Sequence, residues 1–139
     1  MTCLNPFATA QIRQYLQDHC AQVKSATSSL AERKAAVLVP IICREDGWHI
    51  LYTRRSVYVN DHKGQVSFPG GGREAEDSSL EETALREAEE EIGIDPKQVE
   101  ILGRLEDFVT RSGFVITPVV GQLPWPVKLS LNCKEVSRV

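Results

Sequence analysis

Apolar residues near the start of the chain recur at helical spacing. Ile12, Leu16, Cys20 and Val23 share one helical face, and Asn5-Pro6 gives a start signal, which predicts a helix over about residues 9–24. Residues 25–29 are small and polar and predict a loop. The period then shortens. Residues 35–43 form a short, largely β-branched run expected of a buried strand, and Pro40 within it suggests a sheet edge or a bulge. Glu45-Asp46-Gly47 is a turn signal and residues 48–53 return as a second strand, so the two predict a hairpin. Residues 54–64 are polar and basic, a predicted loop, and Gln65-Val66-Ser67-Phe68 is a short strand running into Pro69-Gly70-Gly71-Gly72. A helix is predicted over residues 79–92, closed by Gly93. Two further strands are predicted at 99–110 and 114–123 with Arg111-Ser112-Gly113 as their turn; Pro124-Trp125-Pro126 ends the pattern and residues 134–139 start another element. Strands interleaved with a long helix predict an α/β layered domain with a mixed sheet.

The second helix breaks local rules. At about 100° per residue, Glu87, Glu90 and Glu91 fall within one face, bordering the apolar positions Leu80, Ala84 and Ala88. Like charges at this spacing repel, acidic residues near a helix C-terminus oppose its dipole, and carboxylates beside an apolar face lose hydration. A bound cation reverses all of these costs, and hard oxygen donors suit Mg²⁺ or Mn²⁺. The bland alternative is a solvated acidic face, in which Arg86 pairs with Glu82 and Glu90 as an ordinary helix ion-pair residue. The preceding Gly70-Gly71-Gly72 shifts the balance, because glycines let a ligand approach the backbone and offer N–H donors to phosphate oxygens.

Composition narrows the class without identifying the chemistry. With 139 residues, 42% apolar and 25% charged, the sequence fits one globular domain. A net charge of −3 gives no electrostatic reason to expect nucleic acid or an anionic membrane as partner. No apolar run approaches the roughly 20 residues that span a bilayer, and the N-terminus lacks the features of a signal peptide. Cys3, Cys20, Cys43 and Cys133 form no C-x-x-C pair, which argues against a zinc site and a disulfide scaffold and points to the cytoplasm. Locally, Arg54, Arg55, His62 and Lys63 form a basic stretch next to the glycine turn, read either as a solvated loop or as phosphate ligands.

The segment from Gly72 to Ile94 resembles the Nudix box, G-x5-E-x7-R-E-U-x-E-E-x-G-U with U aliphatic. Arg86, Glu87, Ala88, Glu90, Glu91, Gly93 and Ile94 match its second half, whereas Ser78 stands where the box has Glu. That Glu supports the arginine in the family, and Glu82 is the expected replacement here. Leu51-Tyr52-Thr53-Arg54-Arg55-Ser56, His62-Lys63-Gly64-Gln65-Val66-Ser67-Phe68-Pro69-Gly70-Gly71, Thr110-Arg111-Ser112-Gly113-Phe114 and Thr117-Pro118-Val119-Val120 are similar to the coenzyme A diphosphatase branch. Asn60 stands where that branch has Arg, and members of the branch extend beyond the point where this sequence ends.

The resemblance implies a single Nudix-type α/β/α sandwich over residues 1–139, with a catalytic loop and helix at about 69–94. It implies Glu87, Glu90 and Glu91 as ligands of Mg²⁺ or Mn²⁺ and as catalytic groups, with Arg86 orienting them. It further implies substrate contacts at Arg54, Arg55, His62, Lys63, Gln65, Gly70 and Gly71, and hydrolysis of coenzyme A to 3′,5′-ADP and 4′-phosphopantetheine. The general base is one of these glutamates or an outside carboxylate; Glu135 is a candidate, against the alternative of a solvated residue. The competing readings are a Nudix hydrolase of ADP-ribose or an NDP-sugar, and a Nudix-fold module that binds without catalysis. A sheet edge left unpaired at the C-terminus would offer itself to a second copy, giving a homodimer.

Overall fold

The computed structural model describes residues 6–20 and 33–139, so the expected helical position Val23 and the expected loop at 25–29 lie outside the described residues. Helix α1 spans Pro6–Cys20, earlier in sequence than its predicted start. The strands that follow are β1 (Arg33–Arg44), β2 (Gly47–Ile50), β3 (Thr53–Arg55), β4 (Val66–Ser67) and β5 (Gly70–Gly72). Helix α2 (Leu80–Ile92) comes next, then β6 (Glu100–Arg104), β7 (Phe108–Val109), β8 (Phe114–Leu123) and β9 (Val136–Arg138).

β1 organises the main sheet. It runs parallel to β8, from Arg33 opposite Phe114 to Ile42 opposite Leu123. Its other side is shared: β5 pairs antiparallel with Ala35, Ala36 and Val37, and β2 pairs with Ile41 to Arg44. Pro40, expected at an edge or bulge, is instead interior to this central strand. It sits where the partner changes from β5 to β2, and its carbonyl accepts from Leu51 N at 3.0 Å, so the side on which it lacks an N–H is the junction between two partners. β6 and β7 pair antiparallel with β8, so parallel and antiparallel neighbours coexist.

Alternate residues of β1 feed two apolar layers. Ala36, Leu38 and Ile42 pack with Ala84, Ala88 and Ile92 of α2 and with Val119 and Leu123 of β8. On the opposite face Val39, Val120 and Leu102 pack with Leu16 of α1, while Ile12 and Cys20 flank them. Helices therefore cover both faces of a mixed sheet, the α/β/α sandwich expected.

Two predicted strands are divided. Residues 48–53 do not continue as one strand: β2 ends at Ile50, and β3 belongs to a second, three-stranded sheet ordered β4-β3-β9. Arg54 and Arg55, expected in a loop, are thus strand residues, paired with the C-terminal β9. Residues 99–110 break into β6 and β7, with Leu105 N donating to Pro118 O across the gap. Among the described cysteines, Cys20 and Cys133 are free, whereas Cys43 is disulfide-bonded, a link that the sequence reading against a disulfide scaffold did not foresee. No helix among the described residues is long and apolar enough to cross a membrane.

Leu38 is fully buried between α2 and β8. Leu38→Ala is expected to cost about 2–5 kcal/mol of stability, read by urea denaturation followed by circular dichroism. A loss well below that range would contradict the placement of β1 at the centre.

Candidate active site

α2 is delimited by its own sequence. Ser79 caps the start, its Oγ accepting from Glu82 N at 3.1 Å, and Gly93 ends it in the left-handed region at φ 70° with its N–H donated to Glu89 O. Glu81 and Glu82 suit the positive N-terminal end, but no basic residue stands in the last turn, where Glu89, Glu90 and Glu91 crowd the negative end. The chain returns to cover that end: Ser130 N donates to Ile92 O and Asn132 N to Glu91 O, both at 2.9 Å.

The three expected carboxylates have graded environments. Glu91 is 8% exposed, the Glu87 side chain 15% and the Glu90 side chain 52%. Burial pushes the Glu91 carboxyl up to about 8, reinforced by the neighbouring charges of Glu87 and Glu135 and opposed by the Gly70 amide and Arg55. Glu87 is likewise raised, chiefly by burial, with Arg86 pulling the other way. A Cβ on Gly71 would lie 2.6 Å from the Glu87 carboxyl carbon, and one on Gly70 would lie 2.4 Å from Ala36 O. These glycines are therefore required by close approach: Gly70 lets β5 pack on β1, and Gly71 leaves room for the Glu87 carboxylate.

Arg86 joins the pieces. Its Nε and Nη2 each donate to Asp77 at 3.0 Å in a two-pronged fork, Nη2 also reaches Gly72 O at 3.0 Å, and Nη1 reaches Glu87 at 3.0 Å and Glu90 at 3.3 Å. Asp77 is buried and further accepts from Glu74 N and Thr83 Oγ1, both at 2.9 Å. The Arg86 guanidinium, foremost among these partners, holds the Asp77 carboxyl well below the usual carboxylate range, and Asp77 in turn raises Arg86. This corrects the expectation that Glu82 supports the arginine: the Glu82 carboxylate is bound instead by Ser78 N and Ser78 Oγ. Sequence reasoning missed Asp77 because it stands one residue before the position where the box carries Glu. Allowing the loop to shift by one residue would have found it.

Glu135 is not a solvated terminal residue. Asn132 Nδ2 donates to its carboxylate at 2.7 Å, and its charge acts on both Glu87 and Glu91. The fully buried Ser56 fixes this segment, with N donating to Glu135 O at 2.8 Å and Oγ to Lys134 O at 2.6 Å.

The expected substrate contacts divide. Arg55 is near enough for its charge to act on Glu91, and its Nε donates to Asp61 O. Arg54 is exposed and instead lines a cleft with Val66 and Arg138, its Nε donating to Gly64 O. Neighbouring strand residues face opposite ways, which separates the two arginines. His62, Lys63 and Gln65 are exposed on the intervening turn, with His62 at φ 54°; among the described residues no hydrogen bond joins their side chains to the carboxylates. Gly70 and Gly71 lie against Glu91 and Glu87.

The donor chemistry suits a hard divalent cation: clustered carboxylates, two of them raised by burial, with Arg55 and Arg86 as the opposing positive charges. Among the described residues no three His, Cys, Asp or Glu side chains already converge on one point, because Arg86 holds Glu87 and Glu90 to itself.

Residues 32–133 match the NUDIX domain family. A Yersinia enterocolitica protein named "Uncharacterized Nudix hydrolase NudL" is 46% identical over 116 residues, covering 84% of this chain and 59% of its own length. A Yersinia pestis protein of the same name is 46% identical over 109 residues, covering 78% of this chain and 54% of its own. The chain thus spans little more than half the length of these relatives. Among solved structures, a C. elegans Ap4A hydrolase binary complex superposes with TM-score 0.62 at 19% identity, covering 73% of this chain and 74% of that one. The NUDIX domain of Shewanella oneidensis NrtR complexed with ADP ribose gives 0.58 at 21% identity, covering 85% and 76%. At those identities the likeness is one of fold.

Two outcomes follow from the geometry. Asp77→Asn is expected to lower the melting temperature by several degrees, whereas Glu82→Gln moves it much less; equal effects would restore Glu82 as the support. A carboxyl raised in the folded state contributes stability that is complete below its unfolded value and lost as pH rises through the folded one. For Glu91 that window runs from about 4.5 to about 8. In a chelator, stability is expected to fall across it, by at most about 1.4 kcal/mol per pH unit for one proton. Glu91→Gln should flatten the slope and stabilise the chain at pH 8; a slope unchanged in the variant would contradict the burial of this carboxyl.

Proposed function

The chain belongs to the NUDIX domain family, and on that premise we propose that it hydrolyses a diphosphate bond in a nucleoside diphosphate derivative, with coenzyme A as substrate and Mg²⁺ or Mn²⁺ held by Glu87, Glu90 and Glu91. The observation that carries this reading is the buried Glu91 carboxyl, packed against Glu87 and Glu135 beside the bare backbone of β5. Such a group is costly to charge without a cation. The cation, when bound, neutralises phosphate oxygens and lowers the pKa of a water.

The protein's own residues supply the rest. Arg86, locked by Asp77 and Gly72 O, fixes Glu87 and Glu90 and is a positioning residue. Glu135, steered by Asn132 and held in place through Ser56, adds a carboxylate from outside the helix that is suited to orient or deprotonate the attacking water. Gly70 and Gly71 let β5 pack against β1 and Glu87, and Gly72, with open space where a Cβ would stand, leaves backbone that a diphosphate can approach. Arg55, whose charge acts on Glu91, contributes a cation for that diphosphate.

The coenzyme A assignment is supported by the match of residues 51–56 and 62–71 to that branch, and by the part Ser56 plays in placing Glu135. Incubation with coenzyme A and Mg²⁺ or Mn²⁺ should yield 3′,5′-ADP and 4′-phosphopantetheine, seen by liquid chromatography. Glu91→Gln should lower kcat by roughly a hundredfold or more. Faster hydrolysis of ADP-ribose than of coenzyme A would transfer the activity to that substrate, and no metal-dependent hydrolysis of either would favour a binding module.

A further inference from the structure

A cleft of about 470 Å³ opens beyond the far end of β5, lined by Arg33, Lys34, Arg73, Glu74, Ala75 and Phe114. Three exposed cationic residues line it, Arg33 and Lys34 from opposite faces of the end of β1, and none has a carboxylate partner among the described residues. Arg33 lies over the Phe114 ring at 4.4 Å and donates to Ser112 O at 2.6 Å. Arg73 donates from Nη2 to Asp77 O at 3.1 Å, and its backbone N donates to Lys34 O at 2.9 Å. The acid in the lining, Glu74, is 3.6 Å from Arg86. In a chain of net charge −3, three solvated cations without a carboxylate partner around one cleft leave a local positive field that favours an anion there.

The position of the cleft selects the anion. Gly71 pairs with Ala36 and Gly72 with Ala35, so Lys34 lies two residues along β1 from the point where Glu87 meets β5, roughly 7 Å away. The two sites adjoin through Arg86, which binds both Gly72 O and Glu74. Guanidinium forks and an ammonium suit a phosphomonoester, and the ring of Phe114 beside Arg33 offers a flat face to a heterocycle. The basic stretch of residues 54–63 leads to the other end of the glycine strand and does not reach this cleft.

We propose that the cleft of Arg33, Lys34, Arg73 and Phe114 binds a second phosphate of the substrate, a monoester carried on the nucleoside, while the diphosphate lies at the carboxylates. The proposal rests on the diphosphatase reading for its substrate, and its first test does not need catalysis. In EDTA, calorimetric titration with 3′,5′-ADP and with 5′-AMP should show at least about tenfold tighter binding of the bisphosphate. Lys34→Ala and, separately, Arg73→Ala should reduce that preference to near parity. Equal affinity for the two nucleotides in the parent chain, or a preference that survives both substitutions, overturns the cleft assignment. With Mg²⁺, kcat/KM for coenzyme A should exceed that for dephospho-coenzyme A, and the ratio should collapse in the same variants. Hydrolysis without any such preference overturns the cleft alone; a metal-free preference abolished in the variants, with neither compound hydrolysed, supports the cleft and overturns the diphosphatase reading.

Discussion

Carboxylates gathered at the negative end of one helix are the constraint around which the rest of this structure is arranged. Glu87, Glu90 and Glu91 repel one another, oppose the helix dipole and, for Glu91, lose water as well. The last turn of α2 has no basic residue, so compensation within the helix falls to Arg86 one turn earlier, and that residue is anchored from outside it. The Arg86 fork is held by Asp77 in the preceding loop and by Gly72 O on β5, and its remaining nitrogen neutralises Glu87 and Glu90. A lysine could not do this, because a point charge cannot bind a carboxylate two-pronged and still reach two other glutamates. Glu91 lies beyond that reach. Its neighbours are Glu87, Glu135, the Gly70 amide and Arg55, and burial dominates the balance.

The same constraint reaches into the core through β1. Ala36 faces α2 in the apolar layer and its carbonyl meets Gly70, so the residue that packs the helix also sets how closely the glycine strand approaches. β8 holds β1 in place along its length, and Pro40 marks the point where the opposite partner changes. Displacement of β1 would therefore move Gly70 and Gly71 relative to Glu91 and Glu87. The glycine strand and α2 are thus positioned by the centre of the sheet, while Asp77 and Glu135 reach the site from the segments before α2 and β9.

Elements whose causes are local were legible in the sequence. Ser79, the apolar positions Ala84, Ala88 and Ile92, and Gly93 delimit α2 by themselves, and β8 is a largely apolar run between a Gly turn and a Pro break. Elements whose causes lie far along the chain were not. Nothing near Tyr52 says that the strand must leave one sheet for another, because the reason is pairing of β3 with β9, some eighty residues later. Pro40 reads as an edge residue until the junction between β5 and β2 supplies a place where no donor is needed. In the site, the helical spacing of the glutamates was readable, but Asp77 was hidden by a loop one residue out of register with the family pattern. Glu135 was equally hidden, since its placement depends on Ser56 and Asn132.

That long-range placement gives the C-terminal segment a double part. Ser130 N and Asn132 N satisfy carbonyls at the end of α2, and three residues later the same segment directs Glu135 toward Glu87 and Glu91. Capping the helix with backbone N–H groups partly offsets the negative end of its dipole, while Glu135 adds negative charge beside it. The two effects oppose each other electrostatically within a few ångströms. A purely structural cap would need no carboxylate there, and Asn132 would satisfy itself with water. The arrangement is coherent when the negative charge has a positive ligand to act on. On the proposed function, Arg55 at one end of the glycine strand and Arg33, Lys34 and Arg73 at the other would offset the negative field that an anionic substrate meets at so acidic a centre.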